Sequence, residues 1–410
     1  MTARNDLLPS IALLALLLGA CSTPAPQPQG QLFPLPTVKS TSAPLPSLQP
    51  PTPTSNPSPT PKILALSPIT SSNAQYIERL FTFQLYQSSY SHASLAISPD
   101  KTVLAAASPG GQLSVVEMEW TGEGRLHRPS QIPVLPPSLS RVTALVFSPQ
   151  GGLLAVSTIR DDVHILDSST REILKTFKPS SPPIYTPNSL AFADDGASLA
   201  VSTMSGTQGF IELWDLASTT QKVVLDTQPG WGPPCSLAAS PDGTLIAAGY
   251  CRYSQNFQAW SGFFPYRPLP AVSGIEGDFT CGHGCENQNI VFFSPDNTTL
   301  ASATSWPRVP LIDITTGRLR FILTTIRTIE DGFTIPWPVN GVAFNADGTV
   351  VAIAALNELQ VRDSGDGTFL WHAETTFEPS FVAIAMSADG RLLATLDSKG
   401  QLDLWGVPQP

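Results

Sequence analysis

Along most of the chain, apolar residues come in short blocks paired around a polar turn. One unit recurs seven times: an apolar block, a turn of the Ser/Ala-Pro/Ala-Asp-Gly kind, and a second apolar block. The copies are SLAISPDKTVLAAAS from Ser94, ALVFSPQGGLLAVST from Ala144, SLAFADDGASLAVST from Ser189 and SLAASPDGTLIAAG from Ser236. They continue as IVFFSPDNTTLASAT from Ile290, GVAFNADGTVVAIAA from Gly341 and AIAMSADGRLLATLD from Ala383. Taking Ser98, Ser148, Ala193, Ser240, Ser294, Asn345 and Ser387 as markers, the spacings are 50, 45, 47, 54, 51 and 42 residues. Each copy reads as two buried strands around a tight turn, where Asp and Gly supply the backbone freedom. A third strand follows downstream, ending at Asp167, Asp215, Asp313, Asp363 and Trp405, and a fourth at Ile173–Phe177 and Leu319–Leu323. Four strands per unit, seven units and no helical period predict an all-β chain folded as a seven-bladed β-propeller.

The turns, each followed by an apolar strand such as Leu-Leu-Ala, resemble WD40 repeats from roughly Tyr76 to Pro410. Trp214-Asp215 is the one full Trp-Asp pair, while Trp260 and Trp405 keep only the Trp. The Gly-His pair that opens many such repeats is missing, so the resemblance does not extend to a buried His–Ser/Thr–Asp–Trp network, and stability must rest on packing between blades. The last copy runs out of chain after its third strand. Tyr76–Tyr86, an alternating segment ahead of the first copy, is expected to supply the fourth and close the ring, removing exposed edges. Ile69–Ala74 resembles the lead-in of bacterial WD40-like proteins.

The N-terminus has a different pattern. Ile11–Leu18 is an apolar run too short to span a bilayer, which needs about 20 residues. Leu18-Gly19-Ala20-Cys21 follows and resembles the lipobox of bacterial lipoproteins, which implies cleavage before Cys21 and its lipidation. Residues 21–62 hold 13 of the 41 prolines and read as an extended tether. The expected organisation is a signal peptide over 1–20, a lipidated Cys21 with tether over 21–62, and the propeller over 63–410. The implied place is the cell envelope, lipid-anchored and outside the cytoplasm.

Composition removes some partners. The net charge is −10 and only 13% of residues are charged. So little Lys and Arg gives a poor phosphate neutraliser, which argues against nucleic acid and against membrane binding by anything but the lipid. Cys235, Cys251, Cys281 and Cys285 form an even set in an exported chain, the pattern of structural disulfides. Three pairings are open, with 235–251 and 281–285 favoured. Metal binding by these sulfurs or His283 is the weaker reading.

No catalytic constellation is apparent: H-E-x-x-H, G-x-S-x-G and the P-loop are absent. The recurring Asp100, Asp195, Asp242, Asp296, Asp347 and Asp389 read as turn carboxylates bonding local backbone. Topology gives a sharper expectation. Trp231 and Trp337 fall in loops between blades and Trp306 in a loop between second and third strands, with Tyr253 nearby. With Phe333, these aromatics belong to blades four to six on the face opposite the turns. Aromatic clusters on such a face bind peptides or sugars; the plainer alternative is that they cap the blade ends. The reading is a non-catalytic, monomeric platform, without cofactor or metal, for another envelope or extracellular protein, peptide or sugar. The alternatives are a propeller hydrolase, lactonase or redox enzyme with a central-channel site, or a structural envelope component.

Overall fold

In the computed structural model the second strand of each repeat is mostly buried and largely apolar because each of its faces packs against a neighbouring blade. The structure describes residues 64–86, 93–107, 113–121, 125–126, 129–132, 142–159, 162–179, 189–205, 208–225, 227, 234–250, 257–261, 290–303, 308–328, 334–336, 338–374 and 380–409. All belong to the unit Pro59–Pro410. Their strands form seven antiparallel blades in a ring, a seven-bladed β-propeller. No α-helix occurs among them.

Blades 2, 3, 5 and 6 each show four strands in simple up-and-down order, as in Val142–Phe147, Leu153–Thr158, Val163–Asp167 and Ile173–Phe177 of blade 2. Blade 4 is described through Pro234–Ala239, Leu245–Tyr250 and Phe257–Ser261. The first strands adjoin one another in cyclic order, and Ser94–Ile97 of blade 1 adjoins Phe381–Met386 of blade 7, so the ring is shut about the axis.

The core follows this geometry. Apolar side chains form seven clusters among the described residues, one at each junction between blades. In blade 1, Leu104 and Ala106 face blade 7, whereas Val103, Ala105 and Ala107 face blade 2. A strand with two buried faces favours apolar side chains, which explains VLAAA; where a second strand holds a buried polar residue such as Thr395, that residue has a hydrogen-bond partner.

The turns between first and second strands share one wiring in blades 1, 4, 5 and 7. Ser98 Oγ donates to Asp100 Oδ1 (2.5 Å) and accepts the Val103 N–H (2.9 Å), while Thr102 N–H donates to Asp100 Oδ1 (3.0 Å). Ser240–Asp242–Thr244 and Ser294–Asp296–Thr298 repeat it. Burial raises the Asp100 carboxyl, but the hydrogen bonds from Ser98 and Thr102 outweigh that and leave its pKa below the ordinary value. The same balance holds at Asp242, Asp296 and Asp389. These carboxylates are turn fixtures, as their position in the repeat predicts.

Closure occurs as expected, within narrower limits. Glu78–Gln84 pairs antiparallel with the third strand of blade 7, from Glu78 opposite Gly406 to Gln84 opposite Gln401. That third strand runs on past Trp405 to Pro408. The extension meets an element not foreseen from the repeats: Leu64–Ser67 pairs through Leu66 and Ser67 with Pro408 and Val407. Its other edge pairs through Leu64 and Ala65 with Leu126 and Arg125, which belong to a small hairpin inserted in blade 1 with Trp120–Thr121.

Candidate binding face

Antiparallel order sorts every connection onto one of two faces. First strands run toward the Ser-x-Asp turns and second strands run away from them. The ends at Pro234, Tyr250, Ala303 and Val339 therefore lie on the opposite face, as their pairings Pro234–Tyr250 and Val339–Ala355 require. From these ends leave the connections that carry Trp231, Tyr253, Trp306 and Trp337. Those four residues and Phe333 lie outside the described residues, so the structure supplies their strand anchors and not their side chains.

Two features of this face are described. Between blades 5 and 6 the chain forms a two-stranded ribbon, Ile326–Thr328 against Thr334–Pro336, with Phe333 in its connection and Trp337 following directly. Beyond Trp337, the Pro338 carbonyl accepts the Leu356 N–H (3.2 Å), and the Leu356 carbonyl accepts the Phe381 N–H (2.5 Å). Leu356 sits at the two-residue turn between Ala355 and Glu358 with φ +45°, in the left-handed region that a leucine rarely occupies. Blades 6 and 7 are thus pinned together just beyond the ribbon.

Deeper on the same side, the first strands are stitched to one another. Leu237 N–H donates to Ser189 Oγ (2.8 Å), Val291 N–H to Ser236 Oγ (3.1 Å), and Asn340 Nδ2 to the Phe381 carbonyl (2.7 Å). This belt was not anticipated from the sequence. Its signal is the small polar residue that opens several copies, beside the first apolar position.

A second polar series occupies equivalent positions of the third strands: Ser114, His164, Glu212, Gln258, Gln360 and Asp403, all buried. His164 Nδ1 shares a hydrogen bond with Thr176 Oγ1 (2.9 Å), and burial pushes the imidazole pKa down against the pull of Asp162. Glu212 Oε2 accepts the Trp214 indole N–H (3.1 Å), whereas the Trp405 indole N–H goes to Thr395 Oγ1 (2.8 Å). Gln258 Oε1 accepts from Tyr250 Oη (3.0 Å), Gln360 Nε2 donates to Glu358 Oε2 (2.9 Å) and Asp403 Oδ1 accepts from Thr82 Oγ1 (2.6 Å), each within its own blade. No group of His, Cys, Asp and Glu able to hold a metal ion occurs among the described residues.

Of the cysteines, Cys235 alone is described; Cys21, Cys251, Cys281 and Cys285 lie outside. Cys235 is the bulged residue between the pairs Pro234–Tyr250 and Ser236–Gly249, with its sulfur 3.6 Å from the Gly249 carbonyl. Compared with known protein families, the chain matches none, and no characterised protein matches it significantly.

Proposed function

We propose that this protein is a lipid-anchored, extracytoplasmic, WD40-like propeller that serves as a non-catalytic platform for another envelope or extracellular protein, a peptide or a sugar. The observation that carries the reading is topological. The aromatic-bearing connections of blades 4, 5 and 6 leave strand ends on one face, and the first described strand, Leu64–Ser67, lies on the other. A rigid ring holding long loops on one side suits such a role, although fold alone does not define function.

The finer parts rest on the sequence. The lipobox-like Leu18–Cys21 supports anchoring, and the Ser-x-Asp-Gly turns with the Trp405–Thr395 bond support the WD40 likeness. A 235–251 disulfide is favoured by the Cys235 bulge, which brings its sulfur beside the residues just ahead of Cys251.

The test is a pull-down from detergent-solubilised envelope with the mature protein as bait, beside the double variant Trp306→Ala/Trp337→Ala. The expected result is one reproducible partner, lost with the double variant while its melting temperature is unchanged. Retained capture with a lowered melting temperature would reduce the tryptophans to blade caps. Turnover of a small substrate with no partner would replace the platform by an enzyme. Anchoring is read separately, as radiolabelled fatty acid incorporated by the wild type and not by Cys21→Ala.

A further inference from the structure

The ring needs one strand from outside the repeats to complete blade 7, and Glu78–Gln84 provides it. The fourteen residues ahead of that strand, 64–77, are not required by the repeat, yet they are held at many points on the turn face. Leu64–Ser67 lies between two partners, the end of blade 7 and the inserted hairpin of blade 1. The Gln409 N–H donates to the Ala65 carbonyl (2.8 Å), and the Arg391 guanidinium donates to the Leu66 carbonyl. Farther along, Ile69 N–H reaches the Gly390 carbonyl (2.8 Å), Asn345 Nδ2 reaches the Ile69 carbonyl (2.9 Å), and Ser71 Oγ reaches Asp363 Oδ2 (2.6 Å). The segment therefore crosses two junctions. Leu66, fully buried, joins the cluster between blades 7 and 1 beside Leu126; Ile69 and Ala74, also fully buried, join the one between blades 6 and 7.

We propose that residues 64–77 are a releasable strap: a second latch over blades 6, 7 and 1 that opens while the closing strand keeps the ring shut. Three observations support separability. The strap's ladders are two residue pairs to each neighbour, against six for Glu78–Gln84. The blade 7 turn beneath it is complete without it, with Gly390 N–H on the Ser387 carbonyl (2.8 Å) and Leu392 N–H on Ser387 Oγ (3.0 Å). The junction of blades 7 and 1 also has fastenings of its own, the Lys101–Asp389 ion pair at 2.7 Å and the adjoining first strands. Short ladders at the end of a segment are the units that open first in a native structure. Because the chain ahead of Leu64 leads into the strap, a pull along that chain loads its ladders before it reaches the closing strand. The strap is then a fuse that yields without unfolding the propeller.

Hydrogen exchange followed by mass spectrometry tests this on the full chain. In the wild type, peptides covering 64–69, 125–126 and 407–409 should exchange together and at least tenfold faster than 78–84. In the variant Leu66→Asp/Ile69→Asp, the circular dichroism should be unchanged. Exchange should rise at least tenfold around 118–126, 387–391 and 406–409, with the first strands of all seven blades as protected as before. Equal rates for 64–69 and 78–84 in the wild type would overturn the proposal. So would unchanged exchange in the variant, or loss of protection throughout the ring.

Discussion

Closure of blade 7 depends on one residue that cannot carry a side chain. Gly400 lies in the turn between the second and third strands of that blade with φ +83°, and its carbonyl accepts the Leu85 N–H (2.8 Å) just beyond the closing strand. A Cβ built there would come within 2.5 Å of both the backbone oxygen and the Cδ2 of Tyr86. Gly400→Ala therefore meets two costs. The left-handed backbone disfavours alanine by about 1–2 kcal/mol, and forcing the Tyr86 backbone aside adds about 1–3 kcal/mol, the usual range for overpacking. Together they amount to about 2–5 kcal/mol, roughly a 30- to 4,000-fold rise in the open or unfolded population.

The assay is equilibrium urea unfolding of the full chain by tryptophan fluorescence and circular dichroism, with Gly152→Ala as the control. A Cβ at Gly152 meets nothing within 4 Å and its φ is not left-handed, so that variant should hold the wild-type midpoint or exceed it slightly. Gly400→Ala should fall well below both, with little change of slope. Equal midpoints for the two variants would refute the argument that the Gly400–Tyr86 contact secures the closing strand.

Further outcomes follow from the carboxylates and the buried polar bonds. Burial raises the Asp397 pKa, and the neighbouring Asp403 charge adds to it, although the Gln401 and Lys399 N–H groups pull the other way. A raised acid binds its proton more readily when folded, so this group's penalty appears as pH climbs above the ordinary carboxylate value and is relieved as pH falls. Both N–H groups point at one oxygen, Oδ1, which an asparagine reproduces; Asp397→Asn should therefore melt no lower than wild type at pH 7, and a marked loss would contradict this. The turn carboxylates act in the opposite sense. Asp313, paired with Arg320, and Asp167, bonded by Ser169, are both held down to about 2, and Asp100, Asp242, Asp296, Asp347 and Asp389 are lowered as well. Their stabilisation is present above pH ~4 and is lost as pH falls from there toward about 2, so the melting temperature should drop steeply across that window; a flat profile down to pH 2.5 would exclude it. Thr395→Val keeps the shape but strands the Trp405 indole N–H, and should cost about 1–3 kcal/mol in chemical unfolding; no loss would mean that the indole finds another acceptor.

Much of this fold was legible because a repeat states the same instruction seven times. Blocks of VLAAA or VVAIAA flanking a Ser-x-Asp-Gly turn admit only a strand buried on both faces, and a chain of such hairpins has to bury each against the next. The missing fourth strand of the last unit, with an orphan alternating segment upstream, identified the closing strand within two residues at either end. What lies outside the repeat was not legible. LALS at 64–67 has too few residues to declare a strand, and its partners are an eight-residue-long third strand end and a hairpin some sixty positions away. Pairings of that kind carry no local periodicity. The Ser189–Leu237 and Ser236–Val291 bonds were hidden for a related reason, since a serine at a strand's start looks like turn punctuation until the neighbouring blade presents its N–H.

The sequence by itself determined the number of blades, the strand that closes the ring and the face to which each loop belongs, because those follow from hydrophobic period and strand parity. Only the tertiary structure decided how the ring is fastened beyond that closing strand. The strap across blades 6, 7 and 1, the polar belt between first strands and the need for glycine at 400 all arise where residues distant in sequence come within hydrogen-bond or van der Waals reach.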